Sequence, residues 1–180
     1  MTEDIATLTS RIAYENRWLR LREDTIRRRD GSEGLYGVVE REDFVVVAPV
    51  QDGRVTLVEQ YRYPVRTRMW ELPMGMWEER PGTDPATLAA AELREETGLT
   101  AGQMVYGGEI FQGAGYCTQR GHVFLATELS AGAAQPEASE QDLISRSFSF
   151  EELEAMIRDG VLKDAMSLAA LQLLRVKKLL

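Results

Sequence analysis

Three carboxylates crowd one turn of a predicted helix near the middle of this chain, in Glu92-Leu93-Arg94-Glu95-Glu96-Thr97-Gly98-Leu99. Residues three and four apart share a face of an α-helix, so Glu92, Glu95 and Glu96 repel one another and weaken the helix that carries them. A hard divalent cation among them removes that repulsion, because carboxylate oxygens are its preferred ligands. Asp84-Pro85 opens the helix, with proline in the first turn, where its missing N–H costs nothing. Gly98 closes it, glycine being the residue that tolerates a left-handed C-cap. A solvated acidic face is the alternative for an arbitrary run of this kind. The residues that precede the run decide for the cation.

Those residues are Glu71-Leu72-Pro73-Met74-Gly75. Taken with Glu92 to Leu99, they resemble the Nudix box of the Nudix hydrolases. The C-terminal half of the box fits closely. The N-terminal half departs: seven residues rather than five separate Gly75 from Thr83, Thr83 stands where the family has its first Glu, and Ala91 stands where it has Arg. In the family that Glu and Arg form a structural ion pair, while the metal sits on the later carboxylates. Losing both partners is nearly neutral, whereas losing one strands a charge. The reading is a lost brace and a retained metal site, and its rival is a decayed enzyme. The insertion at Met76-Trp77-Glu78-Glu79-Arg80 has no assigned role.

Composition is consistent with one domain, since 180 residues suffice for a proper core. No apolar run reaches the roughly 18 residues of a membrane span, and the N-terminus lacks the pattern of a secretory signal. One cysteine, Cys117, excludes an intrachain disulfide and fits a reducing, cytoplasmic setting. A net charge of −8 argues against nucleic acid as a partner held by bulk charge. An anionic small substrate is still admissible, because bound metal and local arginines reverse the sign at the site.

Alternating and continuous apolar runs predict strands at Arg17 to Arg27, Leu35 to Glu40, Phe44 to Val50, Val55 to Tyr61, Met104 to Phe111 and Val123 to Thr127. Asp30-Gly31 and Asp52-Gly53 read as hairpin turns. Residues 130–139 read as a mobile loop, and Phe150 to Arg158 and Asp164 to Lys178 as C-terminal helices. The fold class is α+β. The Nudix resemblance implies a mixed β-sheet sandwiched between helices, preceded by an N-terminal β-hairpin extension. The division expected is 1–42 for dimerising strands and 43–180 for the hydrolase domain.

Tyr14 to Leu21, the Asp30-Gly31 turn, Tyr36 to Arg41 and Gln60-Tyr61-Arg62-Tyr63-Pro64 are similar to the ADP-ribose and nucleoside-diphosphate-sugar pyrophosphatase branch. That resemblance implies a homodimer whose N-terminal strands exchange and whose active site is shared. It implies Mg²⁺ or Mn²⁺ held by Glu92 and Glu96, with Glu71, Glu95 and the Met74 carbonyl contributing. Trp18 and Tyr36 fall where the branch sandwiches a nucleobase, and Arg41 and Arg62 where it contacts phosphate. Arginine suits that task because its planar fork binds phosphate oxygens bidentately. The general base is expected at Glu140, with Glu137 and Asp142 as rivals. His122, at the start of a strand, reads as a packing residue. Cys117 reads as a small buried side chain, with nothing basic spaced to activate it.

The expected reaction is metal-dependent hydrolysis of the pyrophosphate bond of a nucleoside diphosphate linked to a sugar. ADP-ribose leads. Against it, Ala114-Gly115 and Thr118-Gln119 replace the Pro and acidic pair of the family's ADP-ribose hydrolases. Dinucleotides such as NADH or diadenosine polyphosphates compete, as does a catalytically silent nucleotide-binding regulator. A 5′-end RNA pyrophosphohydrolase is disfavoured by the charge and by the long N-terminus.

Overall fold

Asn16 decides where the first long hairpin ends. Its side-chain oxygen accepts from the Trp18 and Leu19 backbone amides at 2.8 and 3.0 Å, an Asx turn of the kind asparagine favours. The strand expected from Arg17 therefore begins at Arg20. A computed structural model describes residues 4–77, 82–132 and 142–180. It divides into two units, Met1–Asp43 with Phe111–Arg120, and Phe44–Ile110 with Gly121–Leu180.

The first unit is a three-stranded antiparallel sheet of Ile5–Glu15 (β1), Arg20–Arg28 (β2) and Glu33–Glu40 (β3), with β2 in the centre. The sequence reading had β2 and β3 but not β1. Most of β1 is exposed, and the alternation of Ala6, Leu8, Ile12 and Tyr14 with polar residues is interrupted at Ser10 and Ala13. Gly31 takes φ +85° in the β2–β3 turn, and the Arg28 N–H donates to the Ser32 carbonyl at 2.8 Å. On β2 the buried Asp24 accepts from the Ser10 hydroxyl at 2.6 Å and from the Arg22 guanidinium at 3.1 Å. Residues 111–120 pack on β3 within this unit. The Val39 N–H donates to the Tyr116 carbonyl at 2.7 Å, and the Thr118 N–H donates to the Val39 carbonyl at 3.0 Å. Cys117 is buried there, as expected.

The second unit is a mixed sheet built on Phe44–Gln51 (β4) and Arg54–Arg62 (β5), joined at Asp52-Gly53. Both turn residues have positive φ, 51° and 70°, the geometry that matches the twist of a two-residue hairpin. Thr67–Glu71 (β6) pairs with β5, and Met74–Gly75 (β7) pairs with β4. Leu99–Phe111 (β8), Arg120–Ala131 (β9) and Ile144–Ser149 (β10) complete the order β10-β5-β4-β9-β8. β4 and β9 run parallel. The strands β6, β7 and β10 are short or polar and were not expected from sequence.

Side chains of β4 alternate between two cores. Phe44, Val46 and Ala48 pack with Leu153 of Phe150–Arg158 (α2) and with Met166, Ala170 and Leu174 of Ala165–Val176 (α3). Val45 and Val47 pack with Leu88, Ala89 and Leu93 of Pro85–Thr97 (α1). A strand apolar on both faces must be covered on both, and the result is the expected sheet between helices. Asp84 caps α1 by accepting from the Thr87 amide at 3.1 Å, and Gly98 ends it at φ +72°. The loop read at 130–139 lies largely outside the described residues, as does the insertion beyond Trp77.

Ser167 ties α3 to the segment between β6 and β7. Its hydroxyl accepts from the Leu72 N–H at 2.8 Å and donates to Asp164 at 2.8 Å, and Ser167 is fully buried. Ser167→Ala strands a buried amide and is expected to cost about 1–3 kcal/mol. That lowers the melting temperature, followed by circular dichroism, by roughly 2–12 °C. An unchanged melting temperature would show that water replaces the hydroxyl freely.

Candidate active site

Glu71 ends β6, and Leu72-Pro73 then turns the chain into β7. That turn is fixed from three sides. The Val47 N–H donates to the Pro73 carbonyl at 2.9 Å, Leu72 bonds to Ser167, and Val45 and Val46 pair with Gly75 and Met74. The Met74–Gly75 backbone therefore lies against the acidic side of α1. The Met74 N–H donates to Glu96 Oε2 at 3.1 Å. A Cβ on Gly75 would stand 2.5 Å from the Glu92 carboxylate, so only glycine leaves Glu92 its place there.

Glu71, Glu92 and Glu96 are exposed to only 2, 7 and 1 %, and Glu95 is half-buried. Withdrawing three carboxylates from water in one neighbourhood is costly unless cations and donors compensate them. Arg62 answers Glu71. Its Nε donates to Glu71 Oε1 and Oε2 at 2.9 and 3.1 Å, and Nη2 bonds Oε2 as well. Burial lowers the guanidinium pKa, but the hydrogen bonds and charge of Glu71, with the fields of Glu96 and Asp164, outweigh it and raise the net value.

The donors suit a hard divalent cation. They are hard oxygens, and the missing side chain at Gly75 lets the Glu92 carboxylate pack against the β7 backbone. Among the described residues no three His, Cys, Asp or Glu side chains already converge into a closed ligand set. The reason is visible in the partners: Glu71 is turned to Arg62 and Glu96 to the Met74 amide.

The remaining expected site residues fall as follows. Trp18 and Tyr36 belong to the first unit and are 48 and 41 % exposed, with the Arg17 guanidinium 4.4 Å above the Trp18 ring. Arg41, also of that unit, is half-buried. Glu140 and its rival Glu137 lie outside the described residues. Asp142 is held by Arg68, which donates to its Oδ2 at 2.7 Å and its carbonyl at 2.9 Å while also bonding Glu59 at 2.8 Å. His122 is half-buried, and its Nδ1 lies 3.3 Å from the Tyr106 hydroxyl.

Three residues that shape the site escaped the sequence reading. Ser167 and Asp164 act from α3, more than ninety positions from the turn they steady. Gln60 lies on the same face of β5 as Arg62, is 8 % exposed, and its Nε2 has no hydrogen-bond partner among the described residues. Only the register of β5 on β6, which sets Val58 opposite Glu71 and Gln60 opposite Met69, brings these groups together.

Buried acids on a helix, facing a glycine turn at the end of a strand, define a hydrolase of the Nudix type. The NUDIX domain model matches residues 40–170, and a model described as the nucleoside diphosphate sugar hydrolase N-terminal domain matches residues 5–39. The chain belongs to the Nudix family, and to its ADP-ribose and nucleoside-diphosphate-sugar hydrolase branch. It is 30 % identical over 136 residues to an ADP-ribose pyrophosphatase of Bacillus subtilis, covering 75 % of this chain and 72 % of that protein. An ADP-ribose pyrophosphatase of Mycobacterium tuberculosis is 29 % identical over 92 % of this chain and 81 % of its own length. A methanol dehydrogenase activator of Bacillus methanolicus is 27 % identical over 97 and 94 %. A crystal structure titled as an ADP compounds hydrolase superposes with a TM-score of 0.85 at 17 % identity, over 96 % of this chain and 93 % of that one, which shows the fold.

Proposed function

We propose that this Nudix hydrolase cleaves the pyrophosphate bond of a nucleoside diphosphate linked to a sugar, with ADP-ribose the leading substrate, giving a nucleoside monophosphate and a sugar phosphate. The observation that carries the reading is the burial of Glu92 and Glu96 directly against Met74–Gly75. Two relatives named for ADP-ribose hydrolysis support the choice of substrate.

In this reading Glu92 and Glu96 hold a divalent cation, with Glu71, Glu95 and the Met74 carbonyl available to complete its shell. When bound, Mg²⁺ or Mn²⁺ supplies charge neutralisation for the diphosphate and an acidified water. Arg62 binds a phosphate oxygen, and Arg41 serves the other phosphate. Glu140 accepts the proton of the attacking water. The water oxygen bonds to one phosphorus, and the bridging P–O bond breaks with its electrons going to the departing phosphate. Trp18 and Tyr36 stack on the base, a sequence-tolerant contact worth about 1–3 kcal/mol in comparable sites.

We further propose a homodimer in which the N-terminal strands are shared and the site is completed by the partner. Ile5, Ile12, Tyr14 and Leu35 of the first unit are all exposed, and apolar side chains gathered on one small sheet favour association. Among the described residues no helix is long and apolar enough to cross a membrane, and a cytoplasmic setting fits the single reduced Cys117. A second reading, a binding protein that regulates another enzyme, is favoured by the similarity to the methanol dehydrogenase activator.

The deciding experiment is Mg²⁺-dependent hydrolysis of ADP-ribose, ADP-glucose, UDP-glucose, GDP-mannose, NADH and a diadenosine polyphosphate, with products weighed by mass spectrometry. One preferred nucleotide sugar, split into a nucleoside monophosphate and a sugar phosphate, is expected, and Trp18→Ala should raise KM on it more than it lowers kcat. Tight binding without turnover on every member would favour the regulator. Light scattering should give twice the chain mass of 20.3 kDa, and a monomer would defeat the shared site.

A further inference from the structure

Glu71 sits at the junction of two demands. It is among the carboxylates that suit a divalent cation, and it is 2 % exposed, so it cannot stand without a counter-charge. In the structure that charge is Arg62, whose Nε and Nη2 engage both carboxylate oxygens. The pairing requires a reach. Glu71 lies opposite Val58 in the β5–β6 register, and Arg62 is four residues further along β5, opposite Thr67. The Arg62 and Glu71 side chains therefore reach across this offset to meet. A neighbouring Arg62–Thr67 pairing would have needed no such path.

A cation bound at Glu71 would face the guanidinium across one carboxylate. Two positive charges sharing one buried carboxylate repel, although water reaching the half-exposed Arg62 side chain screens part of that repulsion. Glu71 can thus satisfy Arg62 or a divalent cation, and not both fully. The proposed function gives Arg62 a phosphate oxygen to bind, so its release has a destination. Gln60 offers a buried amide with an open donor on the same face.

Resting on the metal-dependent reading above, we propose that Arg62 is an exchangeable counter-ion: it neutralises Glu71 while the cation is absent, and cation binding frees it for the diphosphate. Cation loading and substrate binding are then coupled, and by thermodynamic reciprocity each strengthens the other. The burial of Glu71 explains why a placeholder is needed at all. The planar fork explains why arginine fills the place, since it satisfies both oxygens at once.

The test is Mn²⁺ affinity in the absence of any nucleotide, read by electron paramagnetic resonance or calorimetry, so that turnover plays no part. Removing a competitor tightens binding: Arg62→Gln should lower the Mn²⁺ Kd by about tenfold, within the usual range of coupling between sites. Arg62→Lys keeps the charge and loses the fork, which guards against a variant that fails to fold, and its Kd should fall by a smaller factor. Glu71→Gln, with the disputed carboxylate gone, should bind Mn²⁺ more weakly than the wild type. If Arg62 instead holds Glu71 in place for the cation, both Arg62 variants bind Mn²⁺ more weakly, and the proposal is overturned. Unchanged affinity overturns it too. A wild-type chain that binds no Mn²⁺ overturns the metal reading itself, and this inference falls with it.

Discussion

One strand, apolar on both faces, sets the rest of the hydrolase unit. Val45 and Val47 call for a cover on one side, and Phe44, Val46 and Ala48 for a cover on the other. α1 meets the first demand, and α2 with α3 the second. Burial of this kind is the main favourable term in folding, at about 25 cal/mol per Å² of apolar surface removed from water. The edges of the same strand also receive β7 and β9. The consequence for chemistry is direct. α1 docks through Leu88, Ala89 and Leu93, which leaves Glu92 and Glu96 on the flank where β7 passes. The core fixes the site without contributing a reacting atom.

Electrostatics then works against that packing. Three acids are withdrawn from water beside a turn of five residues. The chain offsets the cost with means that differ in kind. A backbone amide serves Glu96, a missing side chain at Gly75 makes room for Glu92, and a guanidinium neutralises Glu71. Ser167 and Asp164 steady the turn from α3. The brace that the family draws from an Arg–Glu pair is absent at Thr83 and Ala91. Ala91 is buried at 8 % on the helix, where a lone arginine without its glutamate would carry an unmatched charge.

Local signals were the legible ones. Asp84-Pro85 and Gly98 delimit α1 because caps and backbone freedom act within a few residues. Asp52-Gly53 makes its turn for the same reason. β4 is legible because burial on both faces leaves an unbroken apolar run. What stayed hidden depends on pairing between distant segments. β1 is exposed almost throughout, and Ser10 and Ala13 interrupt the alternation that would mark it. β6, β7 and β10 are strands by virtue of their neighbours. The Arg62–Glu71 pair spans two strands, and no spacing rule announces it before the β5–β6 register is known. The family resemblance gives Arg62 only a phosphate contact. Its ion pair with Glu71 adds a partner that the sequence did not reveal. Asp142, a candidate base by position, accepts from Arg68 across 74 residues of sequence.

Under the proposed function, the buried acids of α1 serve chemistry and not stability. Glu96→Gln tests it most directly, because the variant keeps the size and the acceptor toward the Met74 amide while removing the charge. Turnover of the preferred nucleotide sugar should fall by several orders of magnitude, with an unaltered circular dichroism spectrum and an equal or higher melting temperature. Near-wild-type turnover from a folded Glu96→Gln chain would contradict the account.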